Sequence, residues 1–157
     1  MNSKYAQSKL EYLDRLFLEF AETSLEDEIK SYIARFLTVL ISGMFEDIIK
    51  NIIKEFVKKD KICAETEKFL FKSIELSFRN PDRTNLQSFL KKFNPEWAKE
   101  LNSTIEEINW ESLNSIVANK NNIAHGELCL ITFEDINQYY YNSKKIIIEI
   151  DRIVTFH

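Results

Sequence analysis

The sequence predicts an all-α fold, a single helical bundle over residues 1–157 with short connections. Three observations predict it. Apolar residues recur at spacings of three and four along nearly the whole chain, the period of a helix with one buried face. Glycine and proline number two each, and so few turn formers imply few, long elements. The polar breaks, Asn80-Pro81 and Asn94-Pro95, fall between periodic stretches, where a residue before proline disfavours helix. No repeat, low-complexity run or dividing linker interrupts the chain, and 157 residues suffice for a real core.

The elements follow in order. Leu10, Leu13, Leu16, Phe17 and Phe20 mark a first amphipathic helix. Ser24-Leu25-Glu26-Asp27 reads as a cap with acids in the first turn of a second. Ile29, Ile33, Phe36, Leu37, Leu40, Met44, Ile48, Ile49, Ile52, Ile53 and Phe56 then form one stripe, which ends in Lys58-Lys59-Asp60-Lys61, charges suited to a helix C-terminus. Gly43, inside that helix, suggests close approach of a neighbouring helix. A third helix places Phe69, Leu70, Ile74 and Phe78 on one face. Leu86 to Thr104 reads as two short helical pieces broken at Asn94-Pro95. A helix over about residues 109–118 turns Trp110, Leu113 and Val117 inward. Thr132-Phe133-Glu134-Asp135 opens the last helix, with Thr132 as cap and Ile136, Tyr140, Ile147, Ile150 and Val154 as its buried face.

Composition excludes several functions. Gly43 and Gly126 are too isolated for a glycine-rich phosphate loop. A net charge of −4 argues against a broadly basic nucleic-acid surface but leaves room for a local basic cleft. Cys63 and Cys129 form no CxxC pair and read as reduced, partly buried small apolar residues. Met1 to Ser8 is polar, without a signal pattern, and no apolar run reaches membrane-spanning length, so the expected location is the cytoplasm. Glu26-Asp27-Glu28 and Glu106-Glu107 are helix starts rather than metal carboxylates, and no metal or cofactor is expected. Lys58, Lys59, Lys61 and Lys91-Lys92 read as solvated helix ends, and Tyr139-Tyr140-Tyr141, about 100° apart on a helix, cannot form one stacking platform.

Chemistry concentrates in Lys120-Asn121-Asn122-Ile123-Ala124-His125-Gly126. His125 is the only internal histidine; the other, His157, is the last residue. Metal-free RNA cleavage needs a base for the 2′-OH proton, a donor for the leaving 5′-oxygen and a cation for the phosphorane. Imidazole can serve as acid or base, Lys120 can supply the charge, and Asn121 and Asn122 can position phosphate or sugar. Positions five apart do not share a helix face, so the pattern expects a helix that ends or bends at the asparagines. The competing reading is a helix stop, with Gly126 meeting a turn's backbone need.

Asn121-Asn122-Ile123-Ala124-His125-Gly126, after a helix containing Trp110 and Leu113, resembles the Arg-Asn-x-x-Ala-His-Gly signature of HEPN domains, closest to the RiboL-PSP type and one sister type. Ser42-Gly43-Met44-Phe45-Glu46-Asp47-Ile48 and Thr132-Phe133-Glu134-Asp135 extend the resemblance from about Ile29 onward. It implies a HEPN-like bundle forming a two-fold homodimer, whose paired motifs build a composite cleft. It further implies a metal-independent endoribonuclease acting on RNA, a toxin or effector of a toxin–antitoxin or anti-phage defence system, with an antitoxin or companion defence protein as possible partner. His125 matches the family histidine and Asn121 the polar residue after the arginine, giving catalytic roles to His125, Lys120 and Asn121, and substrate contacts to Asn122 and Glu46. Glu46 takes the position where such domains often carry an acid near the cleft, although by residue type it is equally an ordinary solvated carboxylate. Lys120 stands where the family has arginine, keeping the charge but losing the planar fork. That departure keeps open a second reading, a non-catalytic RNA-binding or protein-interaction module.

Overall fold

A computed structural model of the chain describes residues 1–24, 26–59 and 61–156. Its described residues form seven helices and no strand: α1 (Lys4–Glu22), α2 (Asp27–Val57), α3 (Ala64–Ser77), α4 (Arg83–Lys91), α5 (Pro95–Thr104), α6 (Glu107–Ala124) and α7 (Phe133–Phe156). The centre is α2, α6 and α7, packed mutually. Helix α1 lies on α2, α3 covers the C-terminal half of α2, and the α4–α5 pair closes against α6 and α7. A single apolar cluster draws side chains from all seven helices.

Local chemistry sets most boundaries. The Ser3 hydroxyl caps α1 by accepting from the Ala6 N–H at 3.2 Å. Asp82 caps α4 by accepting from the Asn85 N–H, and Asn94 caps α5 with Pro95 at the first position, where a missing N–H costs nothing. At α7 the Thr132 hydroxyl accepts from the Asp135 N–H at 3.1 Å while Asp135 accepts from the Thr132 N–H at 3.0 Å, the reciprocal cap its sequence suggests. The Ile-rich stretch of α7 is helical, and Tyr140 is its buried tyrosine. Its ring stacks on Phe17 at 4.8 Å, and its hydroxyl donates to the Leu10 carbonyl and to Asp14. Burial first, and the Asp14 carboxylate second, push the Tyr140 phenol well above its ordinary value.

Several expectations need correction. The residue preceding α2 is Glu26, without a side-chain cap, so Ser24 does not cap it; Leu25, Asp60 and His157 lie outside the described residues. Gly43 is solvent-exposed, and a Cβ placed there would meet nothing within 4 Å, so no helix of this chain approaches it. Phe69 points to solvent, leaving Ile74 and Phe78 to anchor α3 and the segment after it. Cys129 is buried but Cys63 is exposed at the start of α3, its thiol lowered by hydrogen bonding to Thr66. The long stripe of α2 divides: Leu37, Ile48, Ile49, Ile52 and Ile53 face the core, while Ile29 and Phe36 face outward with Tyr32 and Val39. Among the described residues no helix is long and apolar enough to cross a membrane.

Candidate functional site

Helix α6 does not stop before the motif. It runs through Lys120, Asn121, Asn122 and Ile123 to Ala124, and His125 is its C-cap. The asparagines are helical, and the stop lies at Gly126, whose φ is +71°. The Glu127 N–H returns to the Asn122 carbonyl at 2.8 Å and the Gly126 N–H to the Ile123 carbonyl at 3.2 Å, a Schellman closure built on a left-handed glycine. Both readings of Gly126 therefore meet: it fulfils a backbone need, and in doing so it presents His125 at an exposed helix end.

The continuous helix has a cost for the expected convergence. Five residues separate Lys120 from His125, which places their side chains about 140° apart around α6. Among the described residues the His125 ring has no hydrogen-bond or ionic partner, and it is exposed. Lys120 instead points to a segment the sequence marked only as a break. Its ammonium donates to the Asn80 side-chain carbonyl at 2.8 Å and to the Asn121 side-chain carbonyl at 3.3 Å.

Asn80 connects the expected residues. Its φ is +52°, a left-handed conformation that asparagine tolerates better than most residues. Its backbone N–H donates to Glu46 at 3.0 Å, and its carbonyl accepts from the Asp82 N–H at 2.8 Å and the Asn85 amide at 3.2 Å. The other Glu46 oxygen takes the buried Lys50 ammonium at 2.7 Å. Lys50 also reaches Glu75 on α3 at 3.4 Å, and Glu75 pairs with Lys54. The Lys54 hydrogen bond, helped by both lysine charges, holds the Glu75 carboxyl below its ordinary value. Glu46 thus belongs to the neighbourhood of Lys120, one residue removed from it through Asn80.

The structure therefore gathers Lys120, Asn121, Asn80 and Glu46 into one polar cluster, with His125 at the exposed end of the same helix. Asn122 is half-buried, with its backbone carbonyl closing the helix end, and its side chain is not brought into this cluster. An open groove of ≈ 490 Å³ adjoins the cluster, lined by Asn114, Val117, Ala118 and Asn121 of α6 and by Asp82, Thr84 and Asn85 opposite. Among the described residues the positive-φ positions are Asn80, in this cluster, and Gly126, at the end of α6. Sequence reasoning missed Asn80. An Asn-Pro pair after a helix signals a turn, but no local pattern reports a partner 40 residues away. Its neighbour Arg79 is exposed and without a partner among the described residues. Among the described residues no group of three His, Cys, Asp or Glu side chains converges as a metal site.

An all-α bundle whose central helix carries an amide-held cation and ends, one turn later and on another face, in an exposed histidine has the parts of the motif the sequence pointed to. The family model described as RiboL-PSP-HEPN matches residues 5–155, and the chain belongs to that family of HEPN domains. Membership supports a nuclease or RNA-binding role in general; HEPN domains generally bind RNA and often dimerise. No curated protein and no solved structure matches the chain.

Proposed function

We propose that the protein is a metal-independent endoribonuclease that acts as a two-fold dimer on RNA, a toxin or effector in bacterial defence or a toxin–antitoxin system. The observation that carries this reading is the Lys120 ammonium, held by two neutral amide carbonyls on the helix that ends in exposed His125. In this reading His125 exchanges the proton of the attacking 2′-OH or the leaving 5′-oxygen, and Lys120 offsets charge on the phosphate. Asn121 holds Lys120 and offers its remaining amide donors, and Asn122 contacts the substrate. Glu46, with both oxygens engaged, contributes by fixing Asn80. Arg79 is a second cation for the RNA backbone. Single-stranded RNA suits the site, because its 2′-OH can reach the in-line geometry and its bases can splay.

Pairing of two copies is supported by α2. Ile29, Tyr32, Phe36 and Val39 are 44%, 60%, 55% and 42% exposed and recur at the three-four spacing of a helix–helix seam, which exposed Gly43 continues. A second copy of the chain is the occupant that this seam suggests. In one copy the wide angle between Lys120 and His125 keeps them from acting on one phosphate through a shared helix face, whereas two copies can contribute one group each.

The test is cleavage of single-stranded RNA with EDTA present. Wild-type protein should cleave and His125→Ala should not; equal cleavage by both removes His125 from the mechanism. A second reading, a non-catalytic RNA-binding or protein-interaction module, is favoured by lysine standing at the arginine position. RNA binding without turnover, unchanged in His125→Ala, would establish it instead. The antitoxin or companion defence protein is a proposal that copurification from the native host tests.

A further inference from the structure

We infer that Asn80 is the positioning residue for the Lys120 ammonium and the element that lets a lysine serve where an arginine would bring its own geometry. The inference rests on the reading of Lys120 as the cation facing phosphate. A guanidinium is a rigid planar fork, whereas an ammonium on a four-carbon stem has no fixed direction and must be aimed by its surroundings. An ammonium carries three donors. In Lys120 two are engaged, by Asn80 at 2.8 Å and by Asn121 at 3.3 Å, and one remains for a ligand.

Both acceptors are neutral amides, so the stem is fixed while its charge is not cancelled. The carboxylate that would cancel it, Glu46, is occupied by the Lys50 ammonium and the Asn80 N–H. Asn80 is itself held at three points: its N–H on Glu46, and its carbonyl beneath the Asp82 N–H and the Asn85 amide. The Asn80 backbone is thereby fixed, which sets the direction of its Cα–Cβ bond, and its amide meets the Lys120 ammonium at 2.8 Å. The result is a directed, uncompensated point charge with one free N–H, suited to a phosphate oxygen.

Asn80→Gly removes the acceptor and accepts the positive φ without strain, so it tests positioning rather than folding. Asn80→Asp keeps an acceptor but sets a carboxylate against the ammonium. Two readouts separate the possibilities. Nitrogen NMR of the Lys120 ammonium needs no RNA, and its signal should move in Asn80→Gly and persist as a held ammonium in Asn80→Asp. Binding of a single-stranded 2′-O-methyl RNA oligonucleotide, which cannot be cleaved through its 2′-oxygen, should weaken about tenfold in both variants, the order of one charge-assisted hydrogen bond. Combined with Lys120→Ala, Asn80→Gly should add no further loss, because its effect passes through Lys120. An unmoved ammonium signal, or an undiminished loss in the Lys120→Ala background, overturns the inference. Absent RNA binding by wild-type protein with a moved ammonium signal supports the positioning and sinks the phosphate-facing role.

Discussion

Substituting the two glycines by alanine should shift stability in opposite directions. Both positions leave open space for a Cβ, with nothing within 4 Å, so contacts contribute nothing to the difference and backbone conformation decides it. Gly43 is helical and exposed, and alanine there should stabilise by about 0.5–1 kcal/mol through chain entropy and propensity. Gly126 sits at φ +71°, where an L side chain costs about 1–2 kcal/mol, partly offset by a stiffer unfolded chain. A net loss of about 1 kcal/mol follows, and the two variants should differ by about 2 kcal/mol. At about 2–4 °C per kcal/mol for a chain of this size, that separates their melting temperatures by roughly 4–8 °C. Far-UV circular dichroism on dilute samples, with urea titrations beside the thermal scans, measures it. Shifts of the same sign, or a neutral Gly126→Ala, would refute the left-handed helix stop. At higher concentration Gly43→Ala should also weaken self-association, since the seam on α2 then loses its small residue.

Four further outcomes are expected. Phe36→Glu puts a charge in the middle of the exposed α2 seam and should yield a monomer by light scattering with its helix content retained; an unchanged mass would remove α2 from the interface. Tyr140→Phe deletes the hydroxyl donated to Leu10 and to Asp14 and should cost about 1–2 kcal/mol, because Asp14 keeps Lys144 as a partner; a neutral result in urea titration would contradict the buried hydrogen bonds. Glu75 has a folded-state pKa below its ordinary 4.5, so its contribution is full above that value and is lost as pH falls through the depressed one. Protection factors in α3, corrected for the intrinsic exchange rate at each pH, should therefore fall on acidification, and Glu75→Gln, which lacks this titration, should remove that acid limb. Lys120→Arg should raise RNA affinity or cleavage if the lysine stands in for the family arginine, and equal or lower activity would show that the site is built around the ammonium.

The helices were legible because each announces itself locally. Period, caps and breakers lie within a few residues of one another, and Thr132 with Asp135, or Asn94 with Pro95, carry their own boundary conditions. The end of α6 was placed too early for the same reason: asparagines have poor helix propensity, but here tertiary packing and the Gly126 closure carry the helix past them. The outward turn of Ile29 and Phe36 was also hidden. A helix apolar nearly all round gives no periodic signal for which face the chain itself covers. Of the candidate site, the nearness of Lys120 and Asn121 could be read from their order and the candidacy of Glu46 only from family resemblance, while His125 and Asn122 remain proposals carried by the motif. Asn80 could not be read, because its importance lies in a contact between segments far apart in the sequence.

In the proposed dimer, the arrangement of α2 and α6 would tie self-association to the site. Asn80 and Lys120 fasten the last turns of α6 near Glu46, while Leu130–Glu134 share a groove with Asp27, Lys30 and Ser31 at the start of α2. Between these anchors the chain from Lys120 to Leu130 advances as α2 recedes from Glu46 to Ser31, so α6 and the loop after it run antiparallel to α2. In sequence His125 lies between these two anchors, and the outer face of α2 between its own anchors carries Tyr32, Phe36 and Val39. A partner seated on that face would bury apolar side chains on the same helix that carries Glu46. Dimerisation and catalysis should then fail together in Phe36→Glu, whereas Asn80→Gly should impair RNA binding and leave the dimer intact. That separation requires the seam and the ammonium to be independent features of neighbouring surfaces, which the chain achieves by fixing Lys120 from α3's side and leaving α2's outer face uncovered.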